Sequence, residues 1–173
     1  KNSMIKVGFE SKRLFRSMTG FGAYSRTLVK GLTKHYPDNR YVLLHDQSYE
    51  KASRELTFHT LDIQKVLSLD AVSVLYPPST KSLYWKLFGA KYQLQSNHVD
   101  IYHGLTNQLP RSIRRANIPL VITIHDLYYL HYPEFSRNDL GQKDDLKKLN
   151  RELKEACIRS ETIIAVSEST KKD

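Results

Sequence analysis

The chain reads as an α/β domain, doubly wound, with a mostly parallel sheet covered by helices on both faces. Three observations carry that reading. Short apolar runs alternate along the chain with amphipathic stretches of helical period. Runs such as "LVITI" (120–124) and "TIIAV" (162–166) are apolar at successive positions, as strands buried on both faces require. Most of these runs also end in polar groups, where strands leave a core for the sheet edge.

The first strand is expected at "IKVGF" (5–9), bounded by polar residues. A glycine-bearing loop, "SMTGFGAYSRTLVKGL" (17–32), then leads into a helix in which Leu28, Val29 and Leu32 recur at helical spacing. "RYVLLHD" (40–46) and "LTFHTLD" (56–62) read as the next two strands, each closing on a carboxylate. Residues 63–79 receive no assignment, and "YPPS" breaks whatever precedes it. "TKSLYWKLFGAKYQLQ" (80–95) follows as a helix with Leu83, Leu87, Phe88 and Leu94 on roughly one face, interrupted by Gly89.

Three further strands are expected at "DIYHGL" (100–105), "PLVITIHDL" (119–127) and "ETIIAVSE" (161–168). Between the last two, Leu146, Leu149 and Leu153 mark one face of a solvated amphipathic helix. Tyr128, Tyr129 and Tyr132 supply aromatic surface, and packing is the expected role for two of the three. "SESTKKD" (167–173) has the form of a helix start, with Ser167 or Ser169 as N-cap, and points to a longer protein.

At 173 residues and 40 % hydrophobic content, the chain is long enough for one core, and a single domain is assigned to residues 4–173. The net charge of +9 favours anionic partners, although a solvated surface is the plainer reading of it. A lone Cys157 cannot close an internal disulfide, which fits a reducing compartment, and a cytoplasmic location is expected. Neither a signal peptide nor a spanning helix is visible.

Several chemistries fail on spacing. There is no G-K-[ST] phosphate loop, no G-x-S-x-G elbow, no H-E-x-x-H, no cysteine pair for zinc and no D-x-D carboxylate pair. No metal and no cofactor are expected.

In a parallel sheet all carboxyl ends lie on one edge, which gathers Glu10, Asp46, His103, His125, Asp126, Ser167 and Glu168. A 3-2-1-4-5-6 strand order would set Gly20 and Gly22 opposite His103 and Gly104. "GFGAYS" departs from the dinucleotide fingerprint, since Ser25 replaces its third glycine. Asp46 nevertheless stands where a ribose-binding acid belongs, so a dinucleotide-binding oxidoreductase domain is one rival reading. A basic nucleic-acid or membrane-surface module is the other, with "PRSIRRAN" (110–117) and the Trp85 region as candidate contacts, though no nucleic-acid-binding signature accompanies the charge. What the glycine stretch does offer is close backbone approach and helix-start N–H groups that attract an anion.

Taken together and in order, "TGFGAYSRTLVKGL", "DIYHGLTNQLP", "PLVITIHDLYYLHYPEFS" and "TIIAVSESTKKD" resemble the amino-terminal half of family 4 glycosyltransferases, especially bacterial mannosyltransferase-like members. The resemblance implies one Rossmann-like half of a GT-B fold and retention of configuration. It implies that a carboxyl-terminal domain of the same protein holds most of the nucleotide-sugar donor, leaving the acceptor, a glycan or lipid-linked molecule, mainly to this half. By position Gly20, Phe21 and Gly22 match the family's glycine loop, whose amides approach the donor diphosphate. His125 matches the histidine near the transferred sugar, and His103, Gly104, Asp126 and Ser167 line the same cleft. The half-enzyme alone is expected to be inactive. Peripheral contact with an anionic membrane at its inner face is a further expectation, and nucleic acid is not an expected partner.

Overall fold

The computed structural model describes residues 4–78, 83–107, 109–110, 112–113, 116–132 and 143–173. Six strands form one all-parallel sheet: β1 (Lys6–Glu10), β2 (Arg40–Leu44), β3 (Val72–Leu75), β4 (Ile101–Gly104), β5 (Leu120–Ile124) and β6 (Thr162–Ala165). Their order is β3-β2-β1-β4-β5-β6, so the sheet reverses direction between β1 and β4. In register, Phe9 lies beside both Leu43 and His103, which fixes the β1 end against its two neighbours.

Alternation along the strands sorts the core into two layers. Phe9, Tyr41 and Leu43 point to one face, where α1 (Lys12–Arg16), α2 (Gly20–His35) and α4 (Leu61–Leu67) cover them with Leu14, Phe15, Val29, Ile63 and Val66. Val42, Leu44, Tyr102, Ile122 and Ile124 point to the other, beneath Leu94 of α5 (Leu83–Ser96) and Leu153 and Ala156 of α7 (Lys143–Arg159). Three shorter helices are also among the described residues: α3 (Tyr49–Ala52), α6 (Tyr128–His131) and α8 (Glu168–Lys172). Burying a side chain such as Leu14 or Ile122 contributes about 1.5–3 kcal/mol, so each layer is held by many such terms.

The third strand lies later than the sequence pattern suggested. "LTFHTLD" forms a 3₁₀ turn, Leu56–His59, and then enters α4, while β3 comes from the unassigned stretch. The Thr60 carbonyl accepts the N–H groups of Ile63 and Gln64; Ile63 and Val66 are buried at helical spacing, and Phe58 of the turn joins them in the cluster around Phe15. The short helix α1 also escaped the pattern, since its five residues bury only Leu14 and Phe15. On α5, Leu94 is fully buried but Phe88 is 41 % exposed, so the two do not share a face.

Strand β6 departs from the two-sided burial its composition suggests. Ile163 and Ile164 point to opposite faces and both are exposed, because β6 closes the sheet at its edge. Of the three tyrosines, only Tyr129 packs; Tyr128 and Tyr132 are exposed. Leu146, Leu149 and Leu153 do face the core as one helical stripe. "PRSIRRAN" and the Trp85 side chain fall wholly or partly outside the described residues.

Candidate functional site

The glycine stretch is not a loop. Gly20 is the first residue of α2, with Thr19 at the N-cap, so the N–H groups of Gly20, Phe21 and Gly22 belong to the helix's first turn and have no intrahelical acceptor. Ala23 is the first to bond back, to the Thr19 carbonyl. A helix of this length directs a partial positive charge out of that end.

The two glycines serve different needs. A Cβ on Gly22 would lie 1.8 Å from the Ser17 carbonyl oxygen and 2.8 Å from an Arg26 guanidinium nitrogen, so Gly22 lets the chain before the helix fold tightly against it. A Cβ on Gly20 would meet nothing within 4 Å; that side of the backbone is open. The buried Arg26 fixes the approach by donating to the Leu14 and Ser17 carbonyls at 2.8 and 2.9 Å. Its Nε pairs with Asp62 at 2.6 Å, and Arg26 and Lys30 together hold the Asp62 carboxyl below its usual pKa.

His125 follows β5 directly, and its backbone is clamped from two sides. Its N–H donates to Asn107 Oδ1 at 2.9 Å, while Asn107 Nδ2 donates to the Asp126 carbonyl at 2.8 Å. Thr170 Oγ1 donates to the His125 carbonyl at 3.2 Å. The ring is set by three contacts. Nε2 lies 2.9 Å from the Leu105 carbonyl, which can only accept, so Nε2 carries a proton, and in the neutral tautomer this selects, Nδ1 is the acceptor. Phe21 and Tyr24 meet the ring edge-on, with centroids 4.6 and 4.9 Å away. The imidazole thus lies against the first turn of α2.

The other expected residues occupy distinct layers. His103 is only 6 % exposed and bonds Thr123 Oγ1 at 2.8 Å; burial lowers its pKa to about 4, so it is neutral near pH 7. It sits beneath Tyr24, whose hydroxyl is 3.5 Å from the same Thr123 oxygen. Gly104 is buried at the end of β4. Asp126 is partly exposed beside His125. Ser167 caps α8, accepting the Thr170 N–H at 3.1 Å, and contacts Thr170 Oγ1 at 3.0 Å. Through Thr170 it is tied to the His125 backbone. Asn107, Tyr24, Arg26 and Thr170 escaped the sequence reading, since each acts through contacts distant in sequence that no local motif announces.

Among the described residues no cluster of three or more His, Cys, Asp or Glu side chains is placed to hold a metal ion. No helix among them is long and apolar enough to cross a membrane.

An all-parallel sheet of this order, with a helix start and a histidine meeting over the carboxyl ends beside the reversal, defines a Rossmann-like ligand-binding domain. The chain belongs to Glycosyltransferase Family 4, whose model matches residues 18–173, a span that includes Gly20, Phe21, Gly22, His103 and His125. Membership implies a sugar donor and an acceptor as substrates. No curated protein and no solved structure matches the chain.

Proposed function

We propose that this chain is the acceptor-side half of a retaining glycosyltransferase that moves a sugar, with mannose the first candidate, from a nucleotide-sugar to a glycan or lipid-linked acceptor. The observation that carries the reading is His125. Its tautomer is set by Leu105 and its ring by Phe21 and Tyr24, and Nδ1 is left to accept a hydrogen bond beside the open end of α2.

Transfer develops positive charge on the sugar ring and negative charge on the departing diphosphate. The N–H groups of Gly20, Phe21 and Gly22 would stabilise the diphosphate, with the open side of Gly20 admitting it. His125 Nδ1 would accept a sugar hydroxyl and hold the ring in the reacting orientation. The reading assigns neither a covalent nucleophile nor a metal to the described residues. A partner domain in the same protein would supply the other wall, so the chain alone would be inactive. The charge of +9 supports peripheral contact with an anionic membrane as part of the same reading.

The test pairs two measurements. The enzyme that contains this chain, supplied with labelled GDP- and UDP-sugars, should transfer label to a glycan or lipid extract. Calorimetry on the chain alone should show weak binding of the same donors; micromolar binding would contradict the division of labour. Tight binding of NAD without sugar transfer would favour an oxidoreductase domain instead.

A further inference from the structure

A second polar cluster lies on the same sheet edge, at the ends of β1 and β2. His45, directly after β2, is 4 % exposed, with its ring between Phe15 and Tyr76 at centroid distances of 4.6 and 5.3 Å. Its Nδ1 accepts the Gln47 N–H at 3.0 Å, so Nε2 carries the hydrogen; that N–H is buried with no partner among the described residues. Glu10 Oε1 accepts the Lys12 N–H at 2.9 Å, while Oε2 is buried and unpartnered. Arg16 Nε, Gln47 Oε1 and Ser48 Oγ share that condition.

An unpaired buried polar atom is destabilising, so five gathered at one strand edge are not a stability device. The set is mixed. Arg16 Nε and His45 Nε2 donate, Glu10 Oε2 and Gln47 Oε1 accept, and Ser48 Oγ does both. Sugar hydroxyls likewise donate and accept at once. The charge pattern argues against phosphate, since the Arg16 guanidinium is already shared between Asp46 at 3.0 Å and Glu55 at 3.1 Å. The cluster reaches solvent through Arg16, Asp46 and Glu55, whose side chains are 25, 35 and 32 % exposed.

We propose that Glu10, Arg16, His45, Gln47 and Ser48 form a subsite for the hydroxyl groups of a neutral sugar or polyol, which places the acceptor's ring at the β1–β2 end of the crevice. The proposal rests on the transferase reading and names the chemistry of its acceptor: hydroxyl-rich and uncharged where it meets this protein.

The probes are methyl α-D-glucopyranoside and glucose 6-phosphate, titrated into the ¹⁵N-labelled chain while amide shifts are followed. The neutral glycoside should shift the amides of residues 10–12 and 45–49 saturably, and the phosphate should shift them less. Ser48→Ala and His45→Phe should each weaken the glycoside about tenfold, the effect of one lost hydrogen bond. His45→Phe keeps a ring between Phe15 and Tyr76; if its spectrum shows an unfolded chain, Ser48→Ala and Glu10→Gln carry the comparison. Shifts located elsewhere, equal binding by the variants, or preference for the phosphate would overturn the subsite. The two readings fail separately. Glycoside binding here with no nucleotide-sugar transfer would overturn the transferase and leave the subsite; transfer with no shift at 45–49 would do the reverse.

Discussion

Phe21, in the first turn of α2, and His125, just past β5, meet edge to face with ring centroids 4.6 Å apart. The contact joins the two sequence features that point to ligand chemistry, the glycine stretch and the strand-end histidine. It also lays the open end of α2 against an imidazole whose tautomer is set by Leu105. Aromatic pairs of this geometry contribute about 0.5–1.5 kcal/mol beyond their buried area. Phe21→Leu keeps the apolar volume but loses that orientation. In the enzyme that contains this chain it should lower kcat about 2- to 10-fold with little change in melting temperature. Unchanged kcat would mean that the ring contact does not position His125.

The two glycines should separate in their response to the same change. Gly22→Ala forces a Cβ against the Ser17 carbonyl and should cost about 1–3 kcal/mol of stability, because backbone cannot yield as a flexible side chain does. Gly20→Ala meets no atom and sits in a helix, so it should be neutral or stabilising by up to about 1 kcal/mol. If the donor diphosphate approaches that open side, Gly20→Ala should still lower kcat/KM tenfold or more. Denaturant unfolding and steady-state kinetics on both variants check the pair.

Acid sensitivity follows from His103. Its pKa falls from the ordinary 6.5 to about 4 because it is buried. Between those values the unfolded chain holds a proton that the folded one does not, so stability is full above about pH 6.5 and declines as pH falls to 4. The decline should amount to about 3 kcal/mol. His45 is lowered in the same direction by burial and adds to it. Asp62 acts further down, since its depressed pKa gives stability that is lost as pH falls below the ordinary carboxylate range. Chemical unfolding at pH 7, 5.5 and 4 should show the slope, and His103→Gln should flatten it; an unchanged slope in that variant would remove His103 as its source.

Much of the architecture was legible because strand burial leaves a dense apolar signature. "LVITI" announced the buried β5, and "TIIAV" announced β6 by its apolar composition although its isoleucines are exposed. The common 3-2-1-4-5-6 order on which the cleft placement was conditioned is the one found. β3 was hidden because "VSVL" is short and only partly buried, whereas "LTFHTLD" carries β-favouring residues that tertiary packing turns helical. The candidate site was half legible. His125 could be found from its place at a strand end, but Asn107, Tyr24 and Thr170 fix it through contacts 18 residues or more away in sequence. Gly22 looked like a ligand-approach residue, and only the distance to Ser17 reveals its packing role.

The central claim is that His125 acts on the transferred sugar, and His125→Ala in the enzyme that contains this chain tests it most directly. Losing the ring removes contacts to Phe21, Tyr24 and Leu105, so some stability, about 1–3 kcal/mol, should be lost whatever its role. Turnover decides. The account predicts that kcat, measured well below the variant's melting temperature, falls 10²- to 10³-fold, which is about 3–4 kcal/mol of transition-state stabilisation. Near-normal kcat in a variant with a lowered melting temperature would contradict it and make His125 a structural residue.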